Sequence, residues 1–240
     1  MQLPKNINFD RVIAEILGDM EYVANGWSKG RPQDETALLN RITERLSRNR
    51  RKCDVGVETP VSLEAEFYEL HRRGFNQTDR HGADFAVTID IPAETYKKTV
   101  LFQLKKSSGY KATLTAQQLD ETLRLEVIKP RSFVLSVDEE RLGFRVKSAR
   151  ACRDYIGDGR DSRQFDTEQW DFLVVWLLKW FQCKEGPPTE PDDKNPVEGL
   201  LNSFRIDERP QDAGLVQQQN LPDGFLPARS WLYYQFKPTE

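Results

Sequence analysis

The chain has 240 residues, 38% hydrophobic and 30% charged, a composition ordinary for a globular protein that buries a sizeable core in one large domain or two small ones. Its formal net charge of −3 excludes a simple polybasic nucleic-acid binder but is compatible with a locally basic cleft. Three cysteines (Cys53, Cys152, Cys183) with no CxxC pair, and only two histidines (His71, His81), argue against a structural zinc site and a disulfide framework and fit a reducing cytoplasm.

The first ten residues, MQLPKNINFD, hold no apolar core of signal-peptide length. From Phe9 to Ala24 the apolar positions Val12, Ile13, Ile16, Met20 and Val23 fall at helical spacing. After a polar break, GWSKGRPQ, Asp34 reads as the N-cap of a second helix that runs to about Arg48 and ends in a basic run, Arg48, Arg50, Arg51 and Lys52. VGVE reads as a short strand. SLEAEFYELHRR is compatible with a helix or with a strand and turn, and the helix is preferred; DRHGAD then marks a turn.

DFAVTIDI alternates with a period of two, placing Phe85, Val87, Ile89 and Ile91 on one face and Asp84, Ala86, Thr88 and Asp90 on the other. TVLFQLKK is a second strand, and the hairpin-sized PAETYKK between them predicts antiparallel neighbours. Thr115 and Gln118 form a capping pair for a helix to about Val127. Strands follow near Ser132–Val137 and Phe144–Lys147. A long helix from Thr167 to Cys183 is expected, with Asp166 and Gln169 as its capping pair. Its most apolar stretch, Phe172 to Phe181, is too short to span a bilayer and contains Lys179, so no membrane role is expected. The aromatic stripe Trp170, Phe172, Leu173, Trp176, Leu177, Trp180 and Phe181 is core or subunit interface. Prolines among acids mark 184–212 as a flexible segment, and the strand-like SWLYYQF within 213–240 docks back on the body or on a second subunit. The expected organisation is thus an N-terminal helix in 1–33, an α/β (α+β) core over 34–183, and these two C-terminal segments.

Gln103 and Lys105 are two apart in a strand and share one side of it. A lysine on the inner side of an apolar strand needs a partner, and Asp84, opening the neighbouring strand, offers an acid. On the helix after Asp34, Glu35 lies on the stripe of Leu38, Leu39, Ile42 and Leu46, at the N-terminal edge where the helix dipole tolerates a carboxylate. Glu64 or Glu66 takes that role if the following segment lines the site instead. Carboxylate and amide oxygens suit Mg²⁺ or Mn²⁺, and a lysine beside such an ion can hold an attacking water or stabilise negative charge in the transition state. Lys106, next to this pair, together with Ser107, Tyr110 and Lys111, is the best-placed candidate for contact with a phosphate backbone; Arg72 and Arg73 are further candidates, and His81 is read as a turn histidine.

The sequence E…GAD…QLKK resembles the PD-(D/E)xK nuclease superfamily, in the Mrr-like branch whose third motif is QxK. The resemblance covers roughly Asp34 to Lys147 and implies a restriction-endonuclease-like core, a central mixed sheet flanked by helices. Asp84 matches the family's metal-binding Asp, Gln103 replaces its second acid, Lys105 matches its lysine, and Glu35 matches the glutamate often found on its first core helix. Ala83 stands where the motif has proline, and neutral Gln103 lowers the charge at the metal site. What the resemblance implies is a Mg²⁺- or Mn²⁺-dependent DNA endonuclease, cytoplasmic, working as a homo-oligomer or with a partner protein in bacterial antiphage or restriction defence. A catalytically weak nucleic-acid-binding subunit that keeps the fold, and a structural interaction module, are the alternatives.

Overall fold

A computed structural model describes residues 5–29, 34–47, 53–69, 83–94, 96–124, 131–140, 143–182, 228 and 230–238. Two helices come first. Helix α1 (Phe9–Ser28) is capped by Asn8, whose side chain accepts from the Arg11 N–H. Helix α2 (Glu35–Ser47) starts where expected, with Asp34 Oδ1 accepting from the Ala37 N–H at 2.7 Å. Strands β1 (Cys53–Asp54), β2 (Val61–Glu69) and β3 (Phe85–Ile91) follow, then β4 (Tyr96–Ser107) after the short 3₁₀ turn Pro92–Glu94. Next come β5 (Lys111–Thr115), α3 (Ala116–Leu123), β6 (Arg131–Asp138), β7 (Phe144–Ser148), α4 (Ala149–Ile156), β8 (Ser162–Asp166), β9 (Asp171–Phe172), α5 (Leu173–Phe181) and β10 (Ser230–Pro238).

Eight of these strands form one mixed sheet in the order β1-β2-β10-β3-β4-β6-β7-β9, and β5 and β8 make a separate antiparallel ribbon. The class is α+β. Strands β3 and β4 are antiparallel neighbours, as the short connection predicts. One face carries α1, α2 and α5 over a core that includes Phe85, Val87, Ile89, Phe102, Leu135 and Trp176. The other face carries α3 and α4 over a smaller cluster around Val134, Leu119, Cys152 and Trp170. Of the aromatic stripe, Trp170, Leu173, Trp176, Leu177, Trp180 and Phe181 are buried, whereas Phe172 departs from the expectation and is exposed, because it lies on the edge strand β9. Among the described residues no helix is long and apolar enough to cross a membrane.

Two expectations are corrected. The stretch SLEAEFYEL belongs to strand β2, not to a helix. Val61, Leu63 and Ala65 alternate into the core while Glu64 and Glu66 are more exposed, and pairing with β10 along its whole length overrides the helix-forming character of Leu, Glu and Ala. The last long helix begins at Leu173, not Thr167. Asp166 ends β8 and its Oδ1 accepts from the Glu168 N–H, so its capping capacity goes to a turn, and Asp171–Phe172 joins the sheet edge before the helix can start. The basic run at 48–52, the residues around His71 and His81, the end of the helix beyond Arg124 and the segment 184–212 lie outside the described residues.

The docking expected of SWLYYQF takes the form of insertion. Strand β10 lies between β2, to which it is antiparallel, and β3, to which it is parallel. Trp231, Leu232 and Phe236 are buried, and Trp231 Nε1 donates to Thr88 Oγ1 at 2.9 Å. Removing this strand would strip the hydrogen bonds from both neighbours and open the core. We predict that a chain ending at residue 227 loses the cooperative thermal transition of the parent and aggregates, read by circular dichroism and light scattering. A truncated chain that melts like the parent would show that β2 and β3 close without it.

Candidate functional site

The site grows from a difference in strand length. The β3–β4 ladder runs from Ile91↔Tyr96 to Phe85↔Phe102 and is closed by the Asp84 N–H donating to Phe102 O at 2.9 Å. Strand β4 continues to Ser107, paired with β6 on its other side. On the side where β3 has ended, alternate N–H groups of β4 would be left without an acceptor. Carboxylates take them. The Leu104 N–H donates to Asp84 Oδ2 at 2.7 Å and the Lys106 N–H to Glu35 Oε1 at 3.2 Å.

These bonds bring the two acids beside the side chains of Gln103 and Lys105. Gln103 Nε2 donates to Asp84 Oδ2 at 2.6 Å, while its Oε1 accepts from Thr122 Oγ1 on α3 at 3.4 Å. A carboxylate only accepts, so Asp84 dictates which end of the amide turns toward it. Lys105 Nζ is 3.2 Å from Glu35 Oε2. Gln103 and Lys105 are each 8% exposed, whereas the Glu35 side chain is 40% exposed, so the ion pair opens to water on the helix side. From behind, Ser230 Oγ at the start of β10 donates to Asp84 O at 3.4 Å.

The structure therefore brings together Glu35, Asp84, Gln103 and Lys105. Glu64 and Glu66 do not take the helix acid's place: they lie on β2, where Glu64 pairs with Lys237 at 2.6 Å and Glu66 accepts from Tyr68 Oη. The candidates for backbone contact are dispersed. Lys106 Nζ sits 4.5 Å from the centroid of the Trp27 ring. Ser107 is buried, its hydroxyl donating to Asp138, which directs it inward and away from any phosphate. Lys111 pairs with Asp166 at 3.1 Å. That lysine, with the Glu168 N–H, holds the Asp166 carboxyl below the ordinary carboxylate range. Tyr110 stands in the β4–β5 turn. Cys152 is buried, and burial pushes its thiol up to about 12, so it is no nucleophile at neutral pH.

Sequence reasoning passed over two further groups. Thr122 fixes the Gln103 amide; it sits one helical turn after Gln118 on the covered face of α3, a position that only the packing distinguishes. Asp138, at the end of the β6 strand, is buried and accepts from Ser107 Oγ, the Tyr110 N–H and the Glu140 N–H, so it braces the turn that follows β4.

The oxygens of Asp84, Glu35 and Gln103 are of the type that hard divalent cations take. Among the described residues no group of three His, Cys, Asp or Glu side chains is gathered to hold a metal. The Gln103 amide turns its nitrogen, not its oxygen, toward Asp84, so as the side chains stand the oxygens suited to Mg²⁺ are those of the two carboxylates; Mg²⁺ keeps several waters and is held by one or two carboxylates together with a substrate phosphate. No family model matches the chain, and no curated protein and no solved structure is significantly similar to it.

Asp84 is also a structural acceptor. We predict that Asp84→Ala, which leaves Gln103 Nε2 and the Leu104 N–H without their partner, lowers stability by about 1–3 kcal/mol in guanidinium denaturation. An unchanged midpoint would mean that water replaces the carboxylate at no cost.

Proposed function

We propose that this chain is a divalent-metal-dependent endodeoxyribonuclease of the PD-(D/E)xK type. The observation that supports it is the meeting of Glu35, Asp84, Gln103 and Lys105, from widely separated parts of the chain, at the open side of one strand. Such an enzyme would act on DNA in bacterial antiphage or restriction defence, in the cytoplasm, as a homo-oligomer or beside a partner protein, the setting that the resemblance implies.

Asp84 would hold the ion, Gln103 would join it by turning its Oε1 from Thr122 toward Asp84, and Glu35 would be the further acid. When bound, Mg²⁺ or Mn²⁺ lowers the pKa of a coordinated water and neutralises charge on the phosphate. The rest is done by the chain. Lys105 is set on the strand face by its bond to Glu35 and carries its positive charge to where negative charge grows on the phosphate. The Glu35 carboxylate positions that ammonium and, being partly exposed, releases it toward a substrate oxygen without leaving a buried charge alone. Asp84 stays tied to the backbone of Leu104 through Oδ2.

A second reading, a nucleic-acid-binding subunit without cleavage, is favoured by one observation. The Gln103 amide turns its nitrogen rather than its oxygen to Asp84, the reverse of what a shared ion needs.

Plasmid DNA incubated with the pure protein and Mg²⁺, Mn²⁺ or EDTA separates the two. Cleavage is expected with either ion and not with EDTA. Lys105→Ala is expected to cut roughly 10²–10³ slower, with its melting temperature little changed because Glu35 is left facing water. Asp84→Ala should also lose cleavage. Gln103→Glu should keep or raise activity, but it sets a second carboxylate against Asp84, so added Mg²⁺ should raise its melting temperature more than the parent's. If Lys105→Ala cuts as fast as the parent, the catalytic assignment fails and the binding-subunit reading replaces it.

A further inference from the structure

Strand β4 leads out of the site into a tight turn, Ser108 to Lys111, with Gly109 at φ +54° and Tyr110 at φ +62°. Left-handed backbone at both central positions is the two-residue hairpin geometry that ordinarily takes Asn or Gly. A tyrosine there is disfavoured by its Cβ. It is held by three bonds: its N–H donates to Asp138 Oδ2 at 2.7 Å, and its carbonyl accepts from the Thr167 N–H at 2.8 Å and Thr167 Oγ1 at 3.1 Å. Backbone held in this region against the preference of its side chain clusters at functional sites.

The Tyr110 ring faces Arg145. The guanidinium carbon lies 5.7 Å from the Tyr110 ring centroid and 3.4 Å from that of Phe172. Among the described residues Arg145 forms no ion pair; its one hydrogen bond goes to Trp170 O at 3.5 Å. Phe172 is 51% exposed at the edge of the sheet, an unusual place for a phenylalanine beside a cation. The sheet register connects this group to the site. Lys105 pairs with Ser136, Ser136 with Arg145, and Arg145 with Phe172, so the four share one row and one face. Strand spacing puts Arg145 about 10 Å from Lys105, some three base steps of about 3.4 Å. Between them the Ser136 hydroxyl is buried with no hydrogen-bond partner.

We infer that Tyr110, Arg145 and Phe172 form a stacking platform for an unpaired base of a nucleic-acid strand whose backbone reaches Lys105; this rests on the nuclease reading above. A planar cation layered on an exposed ring, with no carboxylate to neutralise it, offers both a π-face for a base and a positive charge for the adjoining phosphate.

The test is fluorescence anisotropy with a labelled oligo-dT of about 15 nucleotides in EDTA, so that binding is read without cleavage. Phe172→Ala and Arg145→Ala should each weaken binding by about tenfold or more. Arg145→Lys should weaken it nearly as much, because an ammonium keeps the charge and loses the planar stack. Lys105→Ala should bind within a few-fold of the parent, about one phosphate contact. A fully paired duplex should be little affected by Phe172→Ala. The platform is overturned if Phe172→Ala and Arg145→Ala bind oligo-dT within about twofold of the parent, which lies below the loss of a stacked base. It is overturned too if only Arg145→Ala matters, and equally for single strand and duplex, which is a phosphate contact alone. A parent that binds no oligonucleotide overturns the platform and the nuclease reading together. A parent that shows the Phe172→Ala loss but does not cut plasmid with Mg²⁺ keeps the platform and sinks the cleavage.

Discussion

Strand β4 outruns β3, and the candidate site is the way the fold deals with that mismatch. An unpaired strand edge leaves backbone N–H groups that either meet water, recruit another chain or find local acceptors. Here two carboxylates serve, one from the residue just before β3 and one from the first turn of α2. Both acids are therefore tied to the backbone of β4. Side chains that alternate along the same stretch of β4, Gln103 and Lys105, then find those acids within hydrogen-bond range. Geometry that ends a sheet has assembled a polar cluster with two anions, one cation and one amide.

The neutrality of Gln103 fits this arrangement. A glutamate at the same place would put one carboxylate within contact of another, and a cluster of like charges with limited access to water needs a counter-ion or a proton to form. The amide instead donates to Asp84 and accepts from Thr122. The resting site carries one net negative charge, with Lys105 answering Glu35 and Asp84 held by the neutral donors Gln103 Nε2 and the Leu104 N–H. A site with one net negative charge takes up an ion less avidly than one built from three acids, because less charge is relieved on binding.

Local sequence shows what is local in the fold. The alternation of DFAVTIDI, the Asp34 cap and the placing of Glu35 on the stripe of Leu38, Leu39 and Ile42 are all legible in the order of the residues, and the fold brings Glu35, Asp84, Gln103 and Lys105 together. What is not legible there depends on partners far away in the chain. Residues 61–69 are built of good helix formers and become a strand because β10 lies alongside; Ser62 and Lys237, bonded across that pair, are 175 residues apart. The late start of α5 depends on Asp171 and Phe172 pairing with β7. The basic residues show the same limit. Composition cannot tell that Lys106 lies over Trp27, that Lys111 is tied to Asp166, or that Arg145 has no acidic partner among the described residues.

The central position of β10 has a consequence for how the molecule comes into being. A ribosome delivers β2 and β3 long before the strand that separates them, at about 5–20 residues per second. For that interval the nascent chain carries two strand edges that must not pair with each other, and a hydrophobic surface with no cover. If β2 and β3 met directly they would form a closed but wrong sheet, and β10 would have to displace one of them. The long-range pairing also makes the closing step slow compared with the local hairpin of β3 and β4. Since β10 also supplies the Ser230 hydroxyl that steadies Asp84, the polar cluster matures only when synthesis has passed residue 230. A protein with this topology completes its polar cluster only after the strands β1 to β9 and the helices α1 to α5 have been translated.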